Sequence, residues 1–278
     1  MVVDEDRAQV QTRVARCLAV NGENEFNVEF RINRRSNGGI RWLRSSGRAQ
    51  RDASGRAVRG IGINIDITEE KLIAEEREHH IDAVRRALEQ TVGAITTALE
   101  IRDPYTAGHQ HRVADIAVKI ARRLGLPEHR ISGVRLAAQV HDIGKISIPV
   151  EILCMPGRLS EAQYELVKTH ARAGYEILKN VDFPWPIAEI IHQHHEQIDG
   201  TGYPRGLKGD EILLEARIIA VADTLEAMSS YRPYRPPLGL QMALCELVKK
   251  RGISYDAMVV DACQSLFAGM TELPTEIT

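Results

Sequence analysis

The residue types able to do chemistry gather in one span of the chain. His109, His141, His170, His194 and His195, five of the ten histidines, fall there beside Asp142 and Asp223. His141 and Asp142 are neighbours in "HDIGKISIP", directly after the apolar stretch "VRLAAQV". Charge at the end of a buried helix costs several kcal/mol unless a salt bridge, a cap or a metal ion compensates it. Adjacent helical side chains diverge by about 100°. One ion can then take the imidazole and a carboxylate oxygen, leaving the second oxygen for another ion. His194 and His195 repeat that geometry at another helix end, while His109, His170 and Asp223 come singly on helices with apolar faces. Imidazole and carboxylate donors without thiolate suit iron, manganese, zinc or nickel better than calcium or magnesium. Any one of these histidines alone is more often a surface or satisfied core residue, because a lone histidine has no metal-ligand spacing.

Helices must position these groups. After "RDPYTAGH" the 3.6-residue apolar period predicts helices over 109–124, 131–142, 160–179, 185–195, 214–229, 238–250 and 255–268, punctuated by Gly and Pro. Upstream, residues 4–20 read as a helix. Three strand-like runs follow, 25–32, 39–50 and 58–67, joined by turns rich in Gly, Asn and Asp. From Thr68 to Leu99 the chain turns helical again, with Thr68 placed to cap the start. Ile81, Val84, Leu88, Thr91, Ile95 and Ala98 alternate spacings of three and four, the pattern of a coiled-coil seam. A homodimer through residues 68–100 and a helix packed on its own domain both satisfy that pattern. The fold class expected is mainly α: a helical bundle preceded by a small antiparallel three-stranded α+β segment. The expected division is 1–67, 68–100 and 101–278.

Composition narrows the function classes. The formal net charge is −2, so a general surface for nucleic acid polymers is not expected. Four scattered cysteines without CxxC spacing argue against disulfides or a thiolate zinc site and fit a reducing cytoplasm. No apolar run approaches the roughly 20 residues that span a bilayer, and no signal-peptide pattern opens the chain, so a cytoplasmic protein without membrane partners is expected.

Two resemblances sharpen the reading. "EFRINRRSNGGIRWLRSSGRAQRDASGRAVRGIGINIDITEEK" resembles the C-terminal half of a PAS sensor domain. A PAS fold normally begins with two further strands and short helices that wall a ligand pocket, and none is legible here. The expectation is a fragment of a sensor without a working pocket. "HDIGK" together with "HHEQIDGTGYP" matches the HD-GYP signature, HHExxDGxGYP, at every fixed position, and "ARIIAVADTLEAMSSYRPYRP" is similar to the same family. HD-GYP proteins are bacterial cyclic di-GMP phosphodiesterases of the HD metallohydrolase superfamily, built as helical bundles around two, sometimes three, metal ions.

The resemblance implies metal ligation by His109, His141, Asp142, His170, His194, His195 and Asp223, with Asp142 bridging two divalent ions, iron or manganese first and zinc or nickel after them. No organic cofactor is expected. It implies hydrolysis of cyclic di-GMP by a metal-activated hydroxide, with pGpG or GMP as the end product. Lys145, four residues after His141, would stabilise charge on phosphorus or protonate the leaving oxygen. Arg232 and Arg235 of "YRPYRP" would contact the dinucleotide, and Gly202, Tyr203 and Pro204 would form a lip over it. That lip could instead serve a diguanylate cyclase (GGDEF) partner. Tyr105 stands where members with three metals carry glutamate, which favours two ions. Leu225 and Glu226 replace a usual tyrosine and aspartate, and Cys154 and Met155 replace a usual asparagine–lysine. The competing readings are a non-catalytic module that binds a cyclic dinucleotide or a cyclase, and a phosphohydrolase of another cyclic dinucleotide.

Overall fold

The computed structural model describes residues 1–34, 38–102, 108–155, 157–230, 238–270 and 273. The chain divides into two compact units, Met1–Ala87 and Leu88–Thr278.

In the first unit, helix α1 (Asp4–Leu18) precedes strands β1 (Glu25–Asn33), β2 (Ile40–Arg51) and β3 (Ala57–Asp66). They form an antiparallel meander in the order β1-β2-β3, with Phe30 opposite Leu43 and Ser45 opposite Asn64. Alternation buries Val28 and Phe30 on one face, whereas Ile61, Ile63 and Ile65 of β3 are exposed. Arg51 ties the turns together: its guanidinium donates to the carbonyls of Cys17, Ala19, Glu23 and Gly55 at 2.7–3.0 Å. Helix α2 (Thr68–Arg102) follows. Its start differs from the expected threonine cap. The Asp66 carboxylate accepts the Thr68 N–H at 3.0 Å, and the Thr68 hydroxyl is taken by the Trp42 N–H at 2.8 Å.

The second unit is helical: α3 (His109–Arg123), α4 (Glu128–Val140), α5 (Val150–Leu153), α6 (Glu161–Lys168), α7 (His170–Leu178), α8 (Ile187–Gln193), α9 (Leu214–Ser229), α10 (Leu240–Lys249) and α11 (Ala257–Phe267). Its core is where the apolar stripes of α3, α4 and α9 meet. Val113, Ala117 and Ile120 pack with Val134, Ala137 and Ala138 and with Ile218, Ile219 and Ala222. Small residues bring these helices close, and Gly133 admits the Trp185 ring, which a Cβ would meet at 2.7 Å. Two starts are fixed by side chains. Ser160 and Gln163 form a reciprocal capping box on α6, and Asp256 accepts from the N–H groups of Met258 and Val259 on α11.

The segment expected as one helix over 160–179 breaks at Thr169, whose hydroxyl donates to the Leu166 carbonyl at 2.6 Å and closes α6. A 3₁₀ turn, Ile143–Ser147, and the short α5 follow α4, and periodicity alone signalled neither. Within this unit Val92, Thr96 and Leu99 of α2 are buried. The seam positions from Ile81 to Ala98 are exposed. Both sequence readings of this helix therefore have a face to use. No helix among the described residues is long and apolar enough to cross a membrane.

Candidate metal centre

The five histidines and two aspartates singled out by sequence converge in the second unit. The apolar stripe of α4 ends at Val140, which leaves His141 as its C-cap and Asp142 at the head of the 3₁₀ turn. His194 is likewise the C-cap of α8. His170 opens α7 just after α6 closes, His109 opens α3, and Asp223 comes from the middle of α9. Side-chain donor atoms lie within 4.8 Å of one another in three overlapping sets: His170, His194 and His195; His109, His141 and Asp223; and His141, Asp142 and His194.

Asp142 joins the two sides. Its Oδ2 lies 3.4 Å from His141 Nε2 and 4.0 Å from His109 Nε2, while its Oδ1 lies 3.5 Å from His170 Nε2. Asp223 Oδ1 stands 3.2 Å from His109 Nε2 and 4.0 Å from His141 Nε2. The Lys145 ammonium donates to Asp142 Oδ2 at 2.7 Å. The chain beyond His141 is 3₁₀ rather than α-helical, so Lys145 reaches the carboxylate three residues back. The ion pair first weighed as a compensation for the buried charge is thus present.

Whether these residues fit metal ions is decided by where the imidazole protons sit. His141 Nδ1 donates to the Ala138 carbonyl at 2.7 Å, His170 Nδ1 to that of Val167 at 2.6 Å, and His194 Nδ1 to that of Ile191 at 2.5 Å. Each ring uses the carbonyl three residues back, in the helical turn that precedes it. A carbonyl only accepts, so these Nδ1 atoms carry protons and the Nε2 atoms are left for other work. Burial holds the pKa values of His170 and His194 below the usual imidazole value, so both rings are neutral at pH 7. Their Nε2 atoms nevertheless face each other at 3.3 Å. Two lone pairs at that separation repel, and a cation shared between them removes the conflict. The side chains present fit metal ions.

The surrounding electrostatics agree. Burial also depresses His195, to about 3. Burial opposes ionisation of Asp142, but Lys145 and the neighbouring histidines hold its carboxyl well below the usual range. Asp223 is held low against burial by its hydrogen bond with His109. His109 differs from the other rings. Burial lowers its pKa, yet hydrogen bonds to Asp223 and Glu226 raise it to about 9. The Gln110 amide points at Asp142 Oδ2 from 3.5 Å, and its buried carbonyl oxygen has no hydrogen-bond partner among the described residues.

The "HHEQIDGTGYP" loop forms one wall. Glu196 is buried, and its carboxylate accepts the N–H groups of Arg205 at 2.7 Å and Leu207 at 3.0 Å. Gly202 lies against the backbone of Glu196 and Gln197, where a Cβ would come within 2.3 Å of Gln197 N. The next residue, Tyr203, packs its ring on His195 with centroids 4.8 Å apart. Burial pushes the Tyr203 phenol up, so it stays protonated. Pro204 is exposed. Arg232, Arg235 and Tyr105 lie outside the described residues. The chain that leaves α9 is clipped at both ends to that helix's last turn. Ser230 N–H donates to the Glu226 carbonyl at 2.9 Å and Leu238 N–H to that of Met228 at 3.1 Å.

Two contributors escaped the sequence reading: Glu196, visible only as a fixed letter of the motif, and Glu226, noted only as a departure from the family pattern. Neither bears a spacing signal, because each works on a group distant in sequence or on the backbone.

Fold and site define a helical domain with a histidine–aspartate centre behind a glycine-rich loop. The chain belongs to the HD domain family and carries its HD-GYP signature. The family model described as HD domain matches residues 93–259, and one described as PAS fold matches residues 1–64. Among its relatives, the cyclic di-GMP phosphodiesterase response regulator RpfG of Xanthomonas campestris pv. campestris is 39% identical over 196 residues, 70% of this chain and 50% of that protein. A cyclic di-GMP phosphodiesterase of Thermotoga maritima is 41% identical over 176 residues, 63% of this chain and 48% of its own length. The 3'3'-cGAMP-specific phosphodiesterase 3 of Vibrio cholerae is 36% identical over 213 residues, 77% of this chain and 46% of its own. The chain spans about half the length of these relatives.

Proposed function

We propose that the chain is a metal-dependent phosphodiesterase that hydrolyses cyclic di-GMP, with pGpG or GMP as the end product. The observation that carries this reading is Asp142, buried, whose two oxygens face different histidines: Oδ2 faces His141 and Oδ1 faces His170. The ligands would be His109, His141, Asp142, His170, His194, His195 and Asp223. The donor set is all nitrogen and oxygen, which favours iron or manganese, with zinc or nickel next. When bound, a pair of such ions offers positive charge to a phosphate oxygen and acidifies water.

The chain's own groups supply the rest. Asp142 is shared between the two sides and needs no rearrangement to address both. The Lys145 cation, 2.7 Å from Asp142 Oδ2, stands where it can meet charge on phosphorus or hand a proton to the leaving oxygen. Tyr203 closes the His195 side with a protonated phenol and an aromatic face, with Gly202 and Pro204 beside it. Arg232 and Arg235 would hold the dinucleotide through bidentate contacts. The division into a PAS half at 1–67, a connecting helix at 68–100 and a phosphodiesterase at 101–278 belongs to the same proposal. So do a homodimer through the exposed seam of α2 and a diguanylate cyclase partner.

The similarity to a 3'3'-cGAMP-specific phosphodiesterase supports a second substrate reading, a hybrid cyclic dinucleotide. One experiment addresses both. The chain is purified anaerobically, its metal content measured, and the protein incubated with cyclic di-GMP and with 3'3'-cGAMP beside an Asp142→Ala control. Turnover of cyclic di-GMP by the wild type alone is expected. Turnover of 3'3'-cGAMP only selects the second reading. No turnover of either at full metal occupancy leaves a binding module, and equal turnover in the control overturns the site.

A further inference from the structure

Three rings in the centre are aimed by their own helices. His141, His170 and His194 each follow a helical turn and donate Nδ1–H to the carbonyl three residues back. His109 is held differently. It is the first residue of α3, and Gly108 before it has a left-handed backbone (φ 69°). Its Nδ1 is met instead by Glu226 Oε2 of α9, at 2.5 Å.

The Glu226 carboxylate is itself held from behind. Its Oε1 accepts Arg112 Nε at 2.7 Å, Arg112 Nη2 at 2.7 Å and the Ser230 hydroxyl at 2.7 Å. Glu226 is 1% exposed. Three residues earlier on the same helix, Asp223 Oδ1 stands 3.2 Å from the other ring nitrogen. Helix α9 therefore addresses both nitrogens of His109, one through a metal-ligand candidate and one through a carboxylate outside the ligand set.

We infer that Glu226 is the positioning residue of His109: it keeps the proton on Nδ1 and presents Nε2 to the metal ion shared with His141 and Asp223. The inference rests on the metal reading of the centre and deepens it. A carboxylate that accepts from a ligand's far nitrogen fixes the tautomer and the ring angle, and its loss typically costs 10–100-fold in metal affinity.

Glu226→Gln tests this because the amide can lie only one way round. Arg112 has nothing but donors to offer, so the amide oxygen must stay with it and the NH₂ must face His109. That NH₂ needs an acceptor at Nδ1, which drives the proton to Nε2 and blocks the ligand atom. Manganese titration of the metal-stripped wild type is expected to give two equivalents. Glu226→Gln is expected to keep one at wild-type affinity and bind the other about 10–100-fold more weakly. Glu226→Asp, which keeps an acceptor, should recover part of the loss. A wild type that takes up no metal would overturn the proposed function. Two equivalents at unchanged affinity in Glu226→Gln would overturn this inference alone. Histidine ¹⁵N NMR of the zinc-loaded wild type decides the matter even if the variant does not fold. A protonated Nδ1 on His109 supports the inference, and zinc on Nδ1 sinks it.

Discussion

Gly144 is pressed against the carbonyl of His170: a Cβ on Gly144 would stand 1.9 Å from that oxygen and 2.5 Å from Gly174 N. This contact sets the distance between the turn that carries His141 and Asp142 and the helix that carries His170. Gly144→Ala must push the two apart. We expect a loss of about 2–3 kcal/mol in the stability of the metal-stripped protein, together with reduced metal content on reloading. Urea titration and metal analysis check the two parts separately.

The Lys145 ammonium holds Asp142 Oδ2, an oxygen that would also serve a metal ion bound there. Removing the ammonium should therefore have opposite effects on binding and on chemistry. Lys145→Ala is expected to bind manganese at least as tightly as the wild type while turnover falls about 10²–10³-fold, the usual cost of deleting a charge-stabilising group. Weaker metal binding in the variant would show that Lys145 holds the carboxylate in place rather than acting on substrate.

Glu196 accepts two backbone N–H groups of the following loop with its two oxygens. A glutamine there can satisfy one and must turn its own N–H toward the other. Leaving such a buried pair unmatched costs about 1–3 kcal/mol. Glu196→Gln should speed amide hydrogen exchange across residues 197–208 and raise KM, with the metal count unchanged. If exchange in that stretch stays at the wild-type rate, the carboxylate does not hold the loop.

The metal-stripped protein should be most stable near pH 6.5. His170, His194 and His195 are neutral in the fold, with values below the ordinary 6.5 and about 3 for His195. Below pH 6.5 the unfolded chain binds protons that these folded rings refuse, so stability falls by up to about 1.4 kcal/mol per pH unit for each. His109 has the opposite sign. Its raised value of about 9 adds stability that is complete below 6.5 and lost as pH climbs through 9. Urea midpoints across pH 5 to 9 with chelator present, read with about half-unit spacing, should trace a single maximum. A monotonic curve would contradict it.

The sequence carried much of this architecture and left particular parts unread. α9 runs over the predicted 214–229, and α3 ends one residue from the expected bound. Both have continuous apolar stripes and clear stops. The break at Thr169 was invisible because apolar periodicity runs straight through it; there both the N–H and the hydroxyl of Thr169 turn back to the Leu166 carbonyl. The histidine and aspartate set was legible once "HDIGK" and "HHEQIDGTGYP" were taken together. The tautomers were not, since they follow from where each helix ends. Glu226 was hidden for a related reason: its partner His109 is 117 residues away, and only the packing of α3 on α9 joins them.

The last turn of α9 is tied to described residues on both sides of 231–237: the Ser230 N–H donates to the Glu226 carbonyl and the Leu238 N–H to that of Met228. Asp223 and Glu226 lie on this same helix, three residues apart. These anchors are made by backbone atoms alone, so a change of the Glu226 side chain leaves them in place.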